Sequence, residues 1–361
     1  MKVKYAVWVL LGLLVLATAV SCKSSPPPEA VTPPPERDAP DQDSLNALEA
    51  AEDRALAAQK LISDFEGPSA FPEDWKAANS LLVDADRRKS TSTLQEVRES
   101  TDRYITAAKA YEGMTGEVLG LYYEARAEEL MAARDAAVDA GAWELIPEYL
   151  EEADDTVANA VEKYEAGNYY VARDTATEAL AMYQVLKLGL DAYDVRMAIA
   201  DRNFEDYDPQ NVELADDTLR DAALDYSAND LAGAKDKVNT AMLLYNQAMA
   251  TAWESYAADK GAEAASDRQT ALDMRANVAV RPEYNAAQDV YNRANSAFQE
   301  QKFDEAARGF EDSVRRFGMV IAETRIKRTA AEEALERANQ KMAESDEKAR
   351  NAEIILEGGE E

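Results

Sequence analysis

Four prolines, Pro72, Pro147, Pro209 and Pro282, open stretches whose residues match position by position, and this internal repeat limits the possible folds more than any other feature. Six residues on stand Ala78, Ala153 and Ala215, with Ala287 in a fourth copy that is one residue shorter. Ten on are Leu82, Val157, Leu219 and Tyr291, and thirteen on are Ala85, Ala160, Ala222 and Ala294. Leu94, Tyr169, Leu231 and Phe303 follow, then Val97, Ala172, Ala234 and Ala306. Copies 62 to 75 residues apart that keep one register are stacked units of a single design. Proline suits a helix's first turn, where its missing N–H is not needed. Small and large apolar residues then recur at spacings of three and four, so each copy predicts a helix A of about 17 residues. Gly167 or Asn229 ends it, because both tolerate the left-handed C-cap. "YEAGNYYVA", from Tyr164, is therefore the elbow of a hairpin, and its tyrosines and alanines are packing residues. The fold class is all-α: an elongated array of four hairpins over 44–330, starting near 72, 147, 209 and 282, each with a short helix A and a long helix B.

Thr93, Asn168 and Asp230 are placed to cap helix B, and Thr93 with Glu96 has the spacing of a capping box. Helix B of the second and third copies has room for about 30 residues or more, roughly 45 Å. In the first copy Gly113, Gly116 and Gly120 interrupt it, which predicts a kink or break. The tail, 331–361, carries Ala331, Leu335, Ala338, Met342, Ser345, Ala349, Ala352 and Leu356 at alternating spacings of four and three. That is a heptad seam of mostly small residues, able to pack back on the array, pair with another chain or fray.

Composition narrows the chemistry. Seventy acids against 39 bases give a formal charge of −31, which repels the phosphates of nucleic acid and suits a solvated helical surface. Histidine is absent, and with it the commonest general base and transition-metal ligand. Cys22 is the single cysteine, so neither an internal disulfide nor a cysteine-based zinc site can form. There is no phosphate-binding glycine loop and no GxSxG elbow. Ser345 and Lys348 share the SxxK spacing by chance in a charged tail. Asp201, Asn203 and Glu205 alternate as in a calcium loop, but Asp206 stands where glycine must turn and Val212 where the bidentate Glu belongs. That stretch reads as a link into the next proline-started helix, and the adjacent acids Asp154 and Asp155 read as a wet helix face. No catalytic residue, metal site or cofactor is expected, and the chain is not read as an enzyme.

Residues 1–21 have the form of a signal peptide: Lys2 and Lys4, then an apolar run too short to span a bilayer, then small residues up to Cys22. "ATAVSC" resembles the lipobox of bacterial lipoproteins, with Ala19 and Ser21 as in relaxed boxes of spirochaete type. The resemblance implies cleavage before Cys22 and acyl chains on Cys22, several of which anchor a protein stably where one does not. Residues 22–43 then form a proline-rich tether, extended at ~3.1 Å per residue to roughly 60 Å at most.

The elbows resemble tetratricopeptide repeats. Ala160, Gly167, Tyr169 and Ala172 fall where that family has its small residue, glycine, aromatic and alanine, and Ala294, Phe298, Phe303, Ala306 and Phe310 do likewise. The period departs, at about 70 residues instead of 34. Val161 and Ala223 stand where that family carries peptide-binding polar groups, Asn295 excepted. Alanine-rich helical-hairpin repeats of bacterial, often spirochaetal, envelope lipoproteins are a nearer likeness over about 45–330. They imply a lipid-anchored, non-enzymatic scaffold on the periplasmic side of the outer or inner membrane, with other envelope proteins, basic ones favoured, as partners. A second reading is a periplasmic peptide or small-ligand binding module associated with a transporter.

Overall fold

In the computed structural model residues 39–357 are described, with side chains through Ala352. The signal segment, Cys22 and nearly all of the proline-rich stretch lie outside the described residues. Among those described there are twelve α-helices and no strand: α1 (Gln42–Asp64), α2 (Gly67–Ala70), α3 (Pro72–Arg87), α4 (Leu94–Asp139), α5 (Ala142–Leu145), α6 (Pro147–Glu165), α7 (Tyr169–Asp201), α8 (Pro209–Ser227), α9 (Leu231–Asp273), α10 (Ala276–Ala279), α11 (Arg281–Gln299) and α12 (Phe303–Glu357). Each of the four prolines sits in the first turn of a helix.

Three of the four elbows close by one device. Gly167, Asn229 and Gln301 take positive φ, and the next N–H reaches back five residues: Asn168 to the Lys163 carbonyl, Asp230 to Asp225 and Lys302 to Ala297, each at 2.9 Å. This is the Schellman closure, which satisfies carbonyls that a helix end leaves open. Capping of helix B is uneven. Asp230 accepts from the Gly233 N–H at 2.9 Å, and Thr93 from the Glu96 N–H at 3.3 Å. The Glu96 carboxylate takes the Ser90 hydroxyl instead, so the capping box is half formed, and Asn168 makes no side-chain cap.

A second turn joins each helix B to the next helix A. Glu66, Gly141, Asn203 and Arg275 all lie in the left-handed region, each six residues before the first residue of α3, α6, α8 and α11. One helical turn follows, which is 3-10 over Glu205–Tyr207 in the third copy. Asp208 then caps α8 through the Asn211 N–H. The segment weighed as a calcium loop is this connector: Phe204 is buried in it, and Glu205 pairs with Arg196 at 2.7 Å. Among the described residues no cluster of acids could hold a metal ion.

The described residues form two compact units, one through Tyr122 and one from Tyr123. In the first, Ala55, Ile62, Ala85, Val97, Tyr104 and Tyr111 are fully buried, and Trp75 packs on Tyr111 with centroids 5.4 Å apart. The second has successive cores on α6–α7, α8–α9 and α11–α12, built from alanines around Tyr183, Tyr245 and Phe317. Small residues let helices approach closely, as where Gly309 of α12 meets Ala294 of α11. A Cβ at position 309 would lie 2.8 Å from the Ala294 Cβ and 3.3 Å from its Cα. Gly309→Ala is therefore expected to cost about 1–3 kcal/mol. Adding Ala294→Gly should recover part of the loss in urea midpoints; a G309A variant as stable as the parent would refute this tight crossing.

The expected break in α4 does not occur. The helix runs unbroken from Leu94 to Asp139 across Gly113, Gly116 and Gly120. These glycines lie on its exposed side, while Tyr111, Met114, Val118 and Leu119 are buried. Each glycine costs only ~1 kcal/mol relative to alanine, which burial of the opposite face exceeds.

Candidate functional site: a repeated polar tie and an apolar groove

Three helices are tied at one point in each of the first three copies, and two in the fourth. Arg134 on α4 donates two hydrogen bonds to Asp154 on α6, at 2.7 and 2.8 Å, and Tyr183 on α7 donates its hydroxyl to Asp154 Oδ1 at 2.5 Å. In the next copy Arg196 on α7 donates to Asp216 on α8 at 2.9 Å, and Tyr245 on α9 donates to Asp216 Oδ1 at 2.6 Å. The outer copies keep the geometry without the ion pair. Gln59 Nε2 and the Tyr111 hydroxyl both reach Asn79 Oδ1 at 2.7 Å. Arg268 reaches Gln288 at 2.5 Å, Phe317 stands where tyrosine stood, and the Tyr284 hydroxyl lies 3.3 Å from Gln288.

The chain fixes these contacts by distance along it. The first and second members are 20 residues apart in all four copies, and the second and third are 29 apart in the last three. Arg134 and Asp154 are half-buried and Tyr183 is buried. Burial, with the Asp154 hydrogen bond next, holds the Tyr183 phenol far above its ordinary range; burial first and then the Asp216 hydrogen bond raise Tyr245 in the same way. The hydrogen bonds to Asp154 hold the Arg134 guanidinium above its ordinary range. Asp154 is thus no wet-face residue; only Asp155 is exposed. The sequence signal was the 20-residue spacing, which an alignment on apolar positions passes over.

In the second unit an apolar groove of about 330 Å³ runs between the second and third helix pairs, walled by Ile146, Tyr149, Leu186, Leu190, Leu219 and Tyr226. Gly189 lies along it with open space at its missing Cβ. The corresponding residue six after the tie's aromatic is Glu117, Thr251 or Glu323 in the other copies, so glycine at this place is particular to one junction. Tyr149 and Tyr226 meet edge to face, 5.4 Å between centroids. Burial first, then Glu152, pushes the Tyr226 phenol up. On the same helix Glu148, Glu151, Glu152 and Asp155 line an open acidic concavity.

Fold and site together define an all-α helical-repeat protein whose polar contacts between helices recur with the repeat. No known family pattern matches the chain. It is similar to Treponemal membrane protein A of Treponema pallidum (strain Nichols), 24% identical over 224 residues, 62% of this chain and 65% of that protein. It is also similar to Treponemal membrane protein A of Treponema phagedenis, 21% identical over 217 residues, 60% of this chain and 62% of that one. The chain spans less than two-thirds of the length of each of these relatives. The likeness is to spirochaete proteins named for a membrane, and among the described residues no helix is long and apolar enough to cross one.

Proposed function

We propose that this chain is a non-enzymatic helical-repeat scaffold of the cell envelope, held to a membrane by acyl chains on Cys22 and presenting its helices to other envelope proteins. The observation that carries the reading is the repeated tie. Two half-buried ion pairs of the repeat, Arg134 with Asp154 and Arg196 with Asp216, are spent on holding helices together. Likeness to relatives named as membrane proteins supports the placement, and a charge of −31 favours basic partners through steering. In-cell crosslinking with mass spectrometry should return the same protein neighbours from independent cultures. Cys22→Ala should move the chain from the membrane to the soluble fraction and abolish metabolic labelling with an alkyne fatty acid. A labelled, membrane-bound C22A protein would refute the anchor, and the absence of reproducible neighbours would refute the scaffold.

A second reading, a periplasmic binding module for a peptide or small ligand serving a transporter, is favoured by one observation: the groove at Gly189, whose volume lies at the lower end for small-molecule sites. Under that reading an apolar ligand raises the melting temperature, and Gly189→Leu, which fills the groove, removes the rise.

A further inference from the structure

We propose that residues 328–352 of α12 pair with the same segment of a second copy as a parallel, in-register two-stranded coiled coil. The inference is independent of where the chain is anchored.

The last core contacts of α12 are Val320, Ile321 and Thr324, and Lys327 reaches the Ala279 carbonyl at 3.3 Å. Beyond that point the helix continues with every described residue to Ala352 exposed. Leu335 and Met342 are 63% and 64% exposed, although they sit on one stripe of the helix. A long helix with no packed face draws little stability from propensity alone and is completed by a partner along its apolar stripe. Leu335, Met342 and Ala349 take the a positions of a heptad, and Ala331, Ala338, Ser345 and Ala352 the d positions.

The flanking charges select the partner and its direction. Charged e positions are acidic, Glu332 and Asp346, and charged g positions are basic, Lys341 and Lys348. In a parallel pair g faces the following e of the other chain, so each Lys341 meets the partner's Asp346. An antiparallel pair would set e against e and g against g, acid on acid and lysine on lysine. Across 328–352 five bases stand against six acids, a net of −1 in a chain of −31. A second copy therefore meets little repulsion here, whereas elsewhere like charge keeps copies apart.

The test uses the full chain carrying Cys22→Ser, so that no native thiol remains. Ala338→Cys and Ser345→Cys, made separately, should each give a disulfide dimer under mild oxidation at least tenfold faster than the outward-facing Gln340→Cys. Both seam positions react only in a parallel, in-register pair, because antiparallel strands bring identical residues together at one level. Leu335→Glu with Met342→Glu should abolish the dimer in sedimentation equilibrium. The melting temperature of the repeat domain should not move, since both residues are exposed in the single chain. Dimers from only one seam variant would overturn the parallel arrangement. A monomer by sedimentation together with no disulfide from either variant would overturn the pairing itself.

Discussion

Above pH 10 the protein is expected to lose stability steeply. Tyr104, Tyr183, Tyr226 and Tyr245 are buried, and burial, first among the causes for each, raises its phenol pKa above the ordinary 10.0. Hydrogen bonds to carboxylates add to this for Tyr104, Tyr183 and Tyr245. The sign follows from proton counting. Below pH 10 both states hold the phenol proton, and the contribution to stability is fully present. As pH rises further the unfolded chain releases its protons and the folded chain keeps them, so unfolding is driven. Each tyrosine adds a slope of about 1.4 kcal/mol per pH unit, and four together about 5 to 6. Against a total stability of roughly 5–15 kcal/mol, that brings unfolding within one to three units of pH 10. Urea midpoints followed by circular dichroism from pH 8 to 11.5 measure the slope. The double variant Tyr183→Phe, Tyr245→Phe should halve it. A midpoint that stays level to pH 11.5 would sink the claim that these phenols are held protonated.

Asp154→Ala is the single substitution with the largest expected cost. It leaves the half-buried Arg134 guanidinium and the buried Tyr183 hydroxyl without their acceptor. Losing a partner inside costs more than the net worth of the bond it made. With the Arg134 side chain about a quarter exposed, at 26%, water recovers part of the loss, which sets the figure at about 3 kcal/mol. Tyr183→Phe should cost only about 1 kcal/mol, since Asp154 keeps Arg134 and Phe317 fills the same place in the last copy. The first copy supplies the sharper test. Gln59 and Asn79 hold its tie together without charge. Arg134→Gln with Asp154→Asn should therefore sit above the sum of the two single losses by about 1–2 kcal/mol. Additive losses in this cycle would mean that the tie is not one unit.

The polar tie was the main thing hidden from a linear reading. Its three members come from three helices, and nothing local distinguishes Asp154, which accepts three hydrogen bonds, from Asp155 beside it, which faces water. The left-handed turn before each helix A was equally hard to see. Glu66 and Arg275 adopt it beside Gly141 and Asn203, although L side chains pay roughly 1–2 kcal/mol there. The groove at Gly189 rests on a residue whose effect depends on what is absent around it.

What the sequence settled by itself is everything that depends on a few neighbouring residues. Prolines that open helices, Gly167 and Asn229 that close them, and apolar spacings of three and four act within one or two turns, so they are readable along the chain. The tertiary structure alone decided which side chains meet across helices and which local preferences are overruled. Arg134, Asp154 and Tyr183 converge because helices 20 and 29 residues apart in sequence pack side by side. Gly113, Gly116 and Gly120 do not break α4 because its other face is buried, and burial against neighbours outweighs the weak preference of a single residue.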